Sequence, residues 1–332
     1  MQQVLQQLSE LYGPSGREDA VVSFLRQEVA DYAADIRSDA LGNLIVRAKA
    51  GTEGGKRVML AAHMDEIGLI VNHIDEKGFL RFGPVGGIFP LTLTGQRVRF
   101  ASGLTGVIGL EPVESPSDAK MPKMYIDVGA RNREEAEQLV RVGDIACMDR
   151  HFVAQNGRAI GKAMDDRAGC AVLVEVLRAL QHSPHDVYAV FTSQEEVGLR
   201  GATTSAYGLA PELAIAVDVT GTGDTPEARP MAVALGKGPA IKIMDGGMLA
   251  HVGVKELLIR VAESHQIPYQ REVLLGGTTD ARAIQTSRSG VPAGTVSIPT
   301  RYVHTASEMV DLDDVVHAVR LLVALLEGPI DL

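Results

Sequence analysis

Val58-Met-Leu-Ala-Ala-His63-Met-Asp65-Glu-Ile-Gly68 starts as an apolar run and ends in an imidazole and two carboxylates. Residues 57–62 read as a strand. The two-residue period of a strand then puts His63 and Asp65 on the same side at its C-terminal end. In an open α/β sheet that end is where ligands bind. A second run, Leu213-Ala-Ile-Ala-Val-Asp218-Val219, is almost entirely apolar, as expected of a strand covered on both faces. A carboxylate ending such a strand is costly unless it is paired or metal-bound.

Working outward, residues 43–47, 187–193 and 293–297 read as further strands, and 166–180, 248–265 and 313–326 as helices. Val4, Leu5, Leu8 and Leu11 share one helical face in residues 1–12, and Gly13-Pro14 ends that helix. Ser15-Gly-Arg-Glu18 has the spacing of a capping box and is expected to start a second helix over 19–31. Between residues 66 and 161 the texture changes. Short β-type runs alternate with Gly and Pro, for example Gly106-Val-Ile-Gly and Met124-Tyr-Ile-Asp-Val, which suggests a small barrel or sandwich. The expected organisation is an α/β domain made of 1–65 and 162–332, a mixed sheet flanked by helices, with a β-rich domain inserted at 66–161.

Three more motifs carry titratable groups. Asp165-Asp166 sits in Gly161-Lys-Ala-Met-Asp-Asp-Arg-Ala-Gly169, in apolar surroundings. Adjacent carboxylates repel unless a cation or hydrogen bonds satisfy them. Asp165 is suited to bridging two metal ions, and Asp166 to capping the helix that follows. Glu195-Glu196 follows an apolar strand; one acid can bind metal while its neighbour shuttles a proton, its pKa raised toward neutrality by burial and like charge. His304 lies in the loop Ile298-Pro-Thr-Arg-Tyr-Val-His-Thr. Together His63, Asp165, Glu196, Asp218 and His304 supply two imidazoles and three carboxylates, a donor set for two divalent ions sharing one carboxylate. Asp65 is placed to hold the second nitrogen of His63. The pattern points to metal-assisted hydrolysis.

Composition narrows the alternatives. The chain has 332 residues, 45% of them hydrophobic, and a formal net charge of -10. An acidic balance argues against nucleic-acid or anionic-membrane partners. Cys147 and Cys170 are too few for a disulfide framework and fit a reducing compartment. The N-terminal residues have neither a basic region nor a long apolar run, so a cytoplasmic location is expected.

With these motifs in order, the chain resembles metallopeptidase family 42, the TET-type, glutamyl or deblocking aminopeptidases. Tyr125-Ile-Asp-Val-Gly-Ala-Arg-Asn-Arg-Glu-Glu-Ala136 and Gly276-Gly-Thr-Thr-Asp280-Ala support the likeness. The resemblance implies a zinc-peptidase-like core and an inserted barrel used in dimerisation. It implies one ion, zinc or cobalt with manganese also possible, on His63, Asp165 and Asp218. A second would lie on Asp165, Glu196 and His304. Glu195 would be the general base, Asp65 would orient His63, and the Asp165–Asp166 peptide would be cis. Peptides with a free N-terminus would be substrates, and the chain would assemble as a homo-oligomer, in some relatives a tetrahedral dodecamer. Arg200, Lys237 and the 276–280 loop are candidates for the pocket that receives the N-terminal side chain.

The alternative reading is another dinuclear amide hydrolase, a deacylase or carboxypeptidase; there the extra domain tends to come later in the chain. A glycosidase does not call for His63 and His304, and the chain has no Trp to stack on a sugar. A structural metal site would be closed and thiol-rich, and would leave Asp65 and Glu195 without a purpose.

Overall fold

The computed structural model describes all 332 residues. The chain opens with helices α1 (Gln2–Glu10) and α2 (Asp19–Val29), then strands β1 (Ala33–Ser38), β2 (Leu44–Ala48) and β3 (Arg57–His63). Next come β4 (Gly68–Ile74), β5 (Leu80–Val85), β6 (Arg97–Phe100), β7 (Thr105–Leu110), β8 (Met124–Asp127), α3 (Arg133–Leu139) and β9 (Ile145–Met148). The remainder is β10 (Val153–Gln155), β11 (Arg158–Gly161), α4 (Met164–Ala179), β12 (Asp186–Thr192), α5 (Arg200–Leu209), β13 (Leu213–Thr220), β14 (Ala240–Met244), α6 (Val252–Ser264), β15 (Gln270–Val273), α7 (Asp280–Gln285), β16 (Ala293–Arg301), β17 (Glu308–Asp311) and α8 (Leu312–Glu327).

The architecture is α/β. Eleven strands form a mixed sheet in the order β1-β2-β12-β3-β13-β16-β17-β11-β10, with β14 and β15 branching from β16. Its centre, β12-β3-β13-β16, is parallel. Six strands, β4 to β9, close into a separate barrel around Leu69, Leu80, Phe82, Val98, Ile108 and Ile126. Strands β10 and β11 lie beyond the barrel; β11 pairs with β17 and β10 with β11, forming the edge of the large sheet. No helix is long and apolar enough to cross a membrane.

Side-chain size decides which helices cover which face. In β13, Ile215, Val217 and Val219 join the large core with α1, α2, α4, α6 and α8, while Ala214 and Ala216 turn to the opposite face. There the small residues make room for α5 and α7. In β3 the same alternation sends Val58, Leu60 and Ala62 to the large core and Met59 and Ala61 to the other face. His63 therefore follows Ala61, and Asp218 follows Ala216, onto one face at the C-terminal edge.

Local differences from the expected elements have physical causes. Strand β1 reads Ala-Ala-Asp-Ile-Arg-Ser and lies at the sheet edge, so it lacks an apolar pattern. Helix α6 starts at Val252, not 248, because Asp245 Oδ1 accepts the amide of Met248 and ties 245–248 into a turn. Ser15 and Glu18 do not form a capping box: the Ser15 hydroxyl donates to Asp65 at 2.6 Å and Glu18 accepts the amide of Gly16 at 2.8 Å.

The segment carrying Ser15 is fastened to the end of β3 by a buried ionic network. Lys162 Nζ donates to both carboxylate oxygens of Glu66 at 2.8 Å and to the Leu11 carbonyl at 2.7 Å. The fully buried Arg167 donates to the carbonyls of Leu8, Gly13 and Met64. Every charge in this network has a partner, which is the condition for burying charge without a severe penalty.

Candidate metal centre

The sheet register builds the site. Ala216 lies beside Ala61 in the β13–β3 ladder, so two residues further on Asp218 lies beside His63, with Asp218 Oδ1 3.8 Å from His63 Nε2. His63 also pairs with Thr192 on β12, whose continuation carries Glu195 and Glu196. Asp165 comes from the kinked start of α4, where the Asp165–Asp166 peptide is cis. His304 comes from the β16–β17 loop, with φ +62°.

Asp165 is the centre of the cluster. Its Oδ1 lies 3.0 Å from His63 Nε2, and its Oδ2 lies 3.2 Å from His304 Nε2. His304 Nε2 is also 3.3 Å from Glu196 Oε1. Ligand atoms of His63, Asp165 and Glu196, and of His63, Asp166 and Asp218, converge closely enough to hold an ion. All five candidate ligands and Glu195 line one cleft of about 760 Å³.

Asp65 behaves differently from a simple imidazole partner. His63 Nδ1 meets the main-chain carbonyl of Asp65 at 3.0 Å, and its carboxylate at 3.5 Å. That carboxylate mainly accepts the amides of Glu195 at 2.9 Å and Glu196 at 3.2 Å, plus the Ser15 hydroxyl. Asp166 accepts the amides of His63 at 3.2 Å and Gly169 at 2.9 Å, so it caps α4 and ties that helix to β3.

Electrostatics favour a cation. No Lys or Arg pairs with Asp165, Asp166, Glu195, Glu196 or Asp218; imidazoles are the only cationic partners within ion-pair distance. Burial pushes the carboxyls of Asp166, Glu195 and Asp218 well above their usual range, and raises Glu196 despite its contact with His304. At Asp165 burial acts upward too, but the contacts with His304 and His63 outweigh it and hold the carboxyl low. Burial alone would lower His304; Asp165 and Glu196 instead push it up to about 11. A crowd of buried carboxylates around two imidazoles is expensive without a metal, and its oxygen and nitrogen donors suit zinc, cobalt or manganese. The residues fit such an ion.

Three features were not anticipated from sequence. Glu308, buried on β17, accepts the amides of Asp165 at 3.0 Å and His304 at 2.8 Å, so one carboxylate fixes both residues. Its signal was its place four residues after His304, directly before the apolar pair Met309-Val310. The barrel also supplies a wall. A Cβ at Gly87 would come within 2.8 Å of His304 Nδ1, and one at Gly86 within 3.0 Å of Glu196 Oε2. On the pocket side, Gly277, Thr278 and Thr279 line the cleft, but Arg200 and Lys237 do not; the cationic groups on its wall are Lys242 and Arg282.

A carboxylate–imidazole cluster at the C-terminal ends of parallel strands, opening on a cleft, defines a metal-dependent hydrolase. Residues 42–321 match the family described as M42 glutamyl aminopeptidase, and the chain belongs to that family. It is similar to the lysyl aminopeptidase of Pyrococcus furiosus, 36% identical over 98% of this chain and 96% of that one. Among solved structures, an aminopeptidase from Desulfurococcus kamchatkensis superposes with a TM-score of 0.94 at 44% identity, covering 99% of this chain and 94% of the other. The TET1 peptidase of Pyrococcus horikoshii gives 0.89 at 34%, covering 98% and 99%. The protein is a metal-dependent aminopeptidase, a hydrolase of peptide bonds.

Proposed function

We propose that this chain is a cytoplasmic, dinuclear metallo-aminopeptidase that removes residues one at a time from peptides with a free N-terminus. The observation that carries the reading is Asp165, whose two oxygens face two different imidazoles. His63, Asp165 and Asp218 would hold one ion, and Asp165, Glu196 and His304 the other. When bound, the ions supply positive charge that acidifies water and stabilises the developing carbonyl oxyanion.

Glu195 lines the cleft beside the ligands without bridging the imidazoles, and burial raises its pKa, which makes its carboxylate a stronger proton acceptor than an exposed one. That suits a general base: it takes a proton from water as the water oxygen attacks the scissile carbonyl carbon. It then hands the proton to the departing amine as the C–N bond breaks. Asp65 orients His63 and holds the loop bearing Glu195. The free α-amine, bound at the cluster, sets the register of cleavage.

The Pyrococcus horikoshii relative can assemble into a tetrahedron or a large octahedral shell. We extend a homo-oligomeric state to this chain, a tetrahedral dodecamer, with the inserted barrel, β4 to β9, as the dimer contact.

The test uses chelated and metal-reloaded protein on free and N-acetylated peptides, read by mass spectrometry. Stepwise N-terminal loss from the free peptides alone, restored by Zn²⁺ or Co²⁺, is expected. Glu195→Gln should keep its metal and lose turnover by at least about 100-fold. C-terminal trimming, or removal of the acetyl group, would refute the proposal.

A further inference from the structure

Loop 193–199 carries both acids that the proposed function needs, Glu195 as base and Glu196 as metal ligand. Its conformation is not one the chain holds unaided. Gln194 is left-handed at φ +55°, which costs a residue with a Cβ about 1 kcal/mol or more. Ahead of it, Ser193 is held by Asn43 Oδ1, which accepts its amide at 2.9 Å. Behind it, the amides of Gly198 and Leu199 close back on the Glu195 carbonyl at 2.9 Å.

Between these ends, three consecutive amides point at two carboxylates. Gln194 N donates to Glu18 Oε1 at 3.1 Å, Glu195 N to Asp65 Oδ1 at 2.9 Å, and Glu196 N to Asp65 Oδ2 at 3.2 Å. Ser15 donates to the same Asp65 Oδ2 at 2.6 Å, and Gly16 N to the same Glu18 Oε1 at 2.8 Å. Both Ser15 and Glu18 are buried. Their segment is itself zipped to the strand end: Ser15 N donates to the Glu66 carbonyl, and Glu66 N to the Gly13 carbonyl. The N-terminal loop is thus an anchored bracket: Glu18 reaches the catalytic loop directly, across 176 positions of sequence, and Ser15 reaches it through Asp65.

We propose that Ser15 and Glu18 are positioning residues for the reaction: they fix the backbone of Gln194–Glu196 so that the Glu195 carboxyl faces the cleft and Glu196 faces His304. The proposal rests on the roles assigned above to Glu195 and Glu196. Neither side chain lines the cleft, so each acts through the loop and not on the substrate. A base displaced by about 1 Å can lose about 100-fold in rate, and residues that orient metal ligands typically contribute 10–100-fold in affinity or activity, so loosening this loop should be felt in both.

The experiment compares Glu18→Ala, Glu18→Gln, Ser15→Ala, Ser15→Thr and Glu195→Gln in the full chain. It measures kcat and KM on a free peptide at saturating Zn²⁺, the Kd for Zn²⁺ by chelator competition, and Tm. Glu18→Ala should lower kcat about 10–100-fold, with KM within about threefold and weaker Zn²⁺ binding. Glu18→Gln keeps the accepting oxygen and should restore kcat to within about threefold. Ser15→Ala should lower kcat more modestly, and Ser15→Thr should recover it; this pair decides the matter if Glu18→Ala does not fold. A Glu18→Ala protein with reduced Tm but unchanged kcat and Kd, beside an inactive Glu195→Gln, overturns the positioning role alone. Failure of Gln to rescue overturns it too. A fully active Glu195→Gln overturns the base assignment instead, and the Zn²⁺ affinity of Glu18→Ala then decides positioning through Glu196.

Discussion

Replacing Gly169 with Ala sets two effects of opposite sign against each other. Gly169 lies in α4, where Ala is intrinsically favoured over Gly by about 1 kcal/mol. The added Cβ, however, would lie 2.4 Å from both carboxylate oxygens of Asp166 and 2.7 Å from its Cγ. Asp166 is fully buried and cannot swing into solvent. Its oxygens accept the amides of Gly169 and His63, so moving it gives up one or both bonds at a fully buried position, at about 1–3 kcal/mol each. The steric term wins, and Gly169→Ala should destabilise the protein by about 2–4 kcal/mol. Because the His63 amide loses its acceptor, metal affinity should fall about 10-fold as well. Gly208 in α5 is the control: a Cβ there meets nothing within 4 Å, so Gly208→Ala should be neutral or stabilising by up to about 1 kcal/mol. Urea unfolding in EDTA, followed by Zn²⁺ titration of the folded variants, reads both quantities. If Gly169→Ala is as stable as Gly208→Ala, the close packing of Asp166 on this helix is not the constraint inferred here.

Removing metal should lower Tm in a concentration-dependent way, since an ion that binds only the folded state adds about 2.7 kcal/mol at 100 times its Kd; scanning calorimetry with EDTA and graded Zn²⁺ checks this. Asp224 is held well below the usual carboxylate range by the Arg301 guanidinium, at 2.7 and 2.9 Å. Its folded pKa is depressed, so its contribution is present above the unfolded value of about 3.9 and is lost as pH falls below it. Wild type should exceed Asp224→Asn in stability at pH 7, and the gap should close on acidification; a gap that widens in acid would reverse the sign. Burial pushes the Cys147 thiol up to about 12, and Cys170 is raised by burial as well. Neither should react with a thiol reagent at pH 8 until the protein unfolds, because the thiolate is the reactive form.

The sequence was most informative where burial was total. Strands β3 and β13 announce themselves as apolar runs, and a carboxylate or imidazole ending such a run stands out because only pairing or a metal compensates it. His63 and Asp218 end such runs; Asp165, at a helix start, Glu196, in a loop, and His304, in another loop, stood out only jointly with them, and all five line one cleft. Strands β1, β5 and β17 were not. The first is polar at an edge, the second contains Gly83 and Pro84, and the third is four residues long. What local pattern misleads about is partnership. Ser15 and Glu18 have the spacing of a capping box, yet Ser15 bonds to Asp65, fifty positions away, and Glu18 to Gln194, further still. Spacing reports which groups a residue can reach within its own helix; it is silent on a strand end that docks from elsewhere and offers a better-placed partner. Glu308 makes the same point from the other side, because the two amides it accepts belong to the start of α4, 143 residues away, and to a loop four residues away, and these meet only once β17 is in the sheet. A ligand can be recognised by the cost of burying it alone. The residues that hold a ligand become visible only when the chain has closed around them.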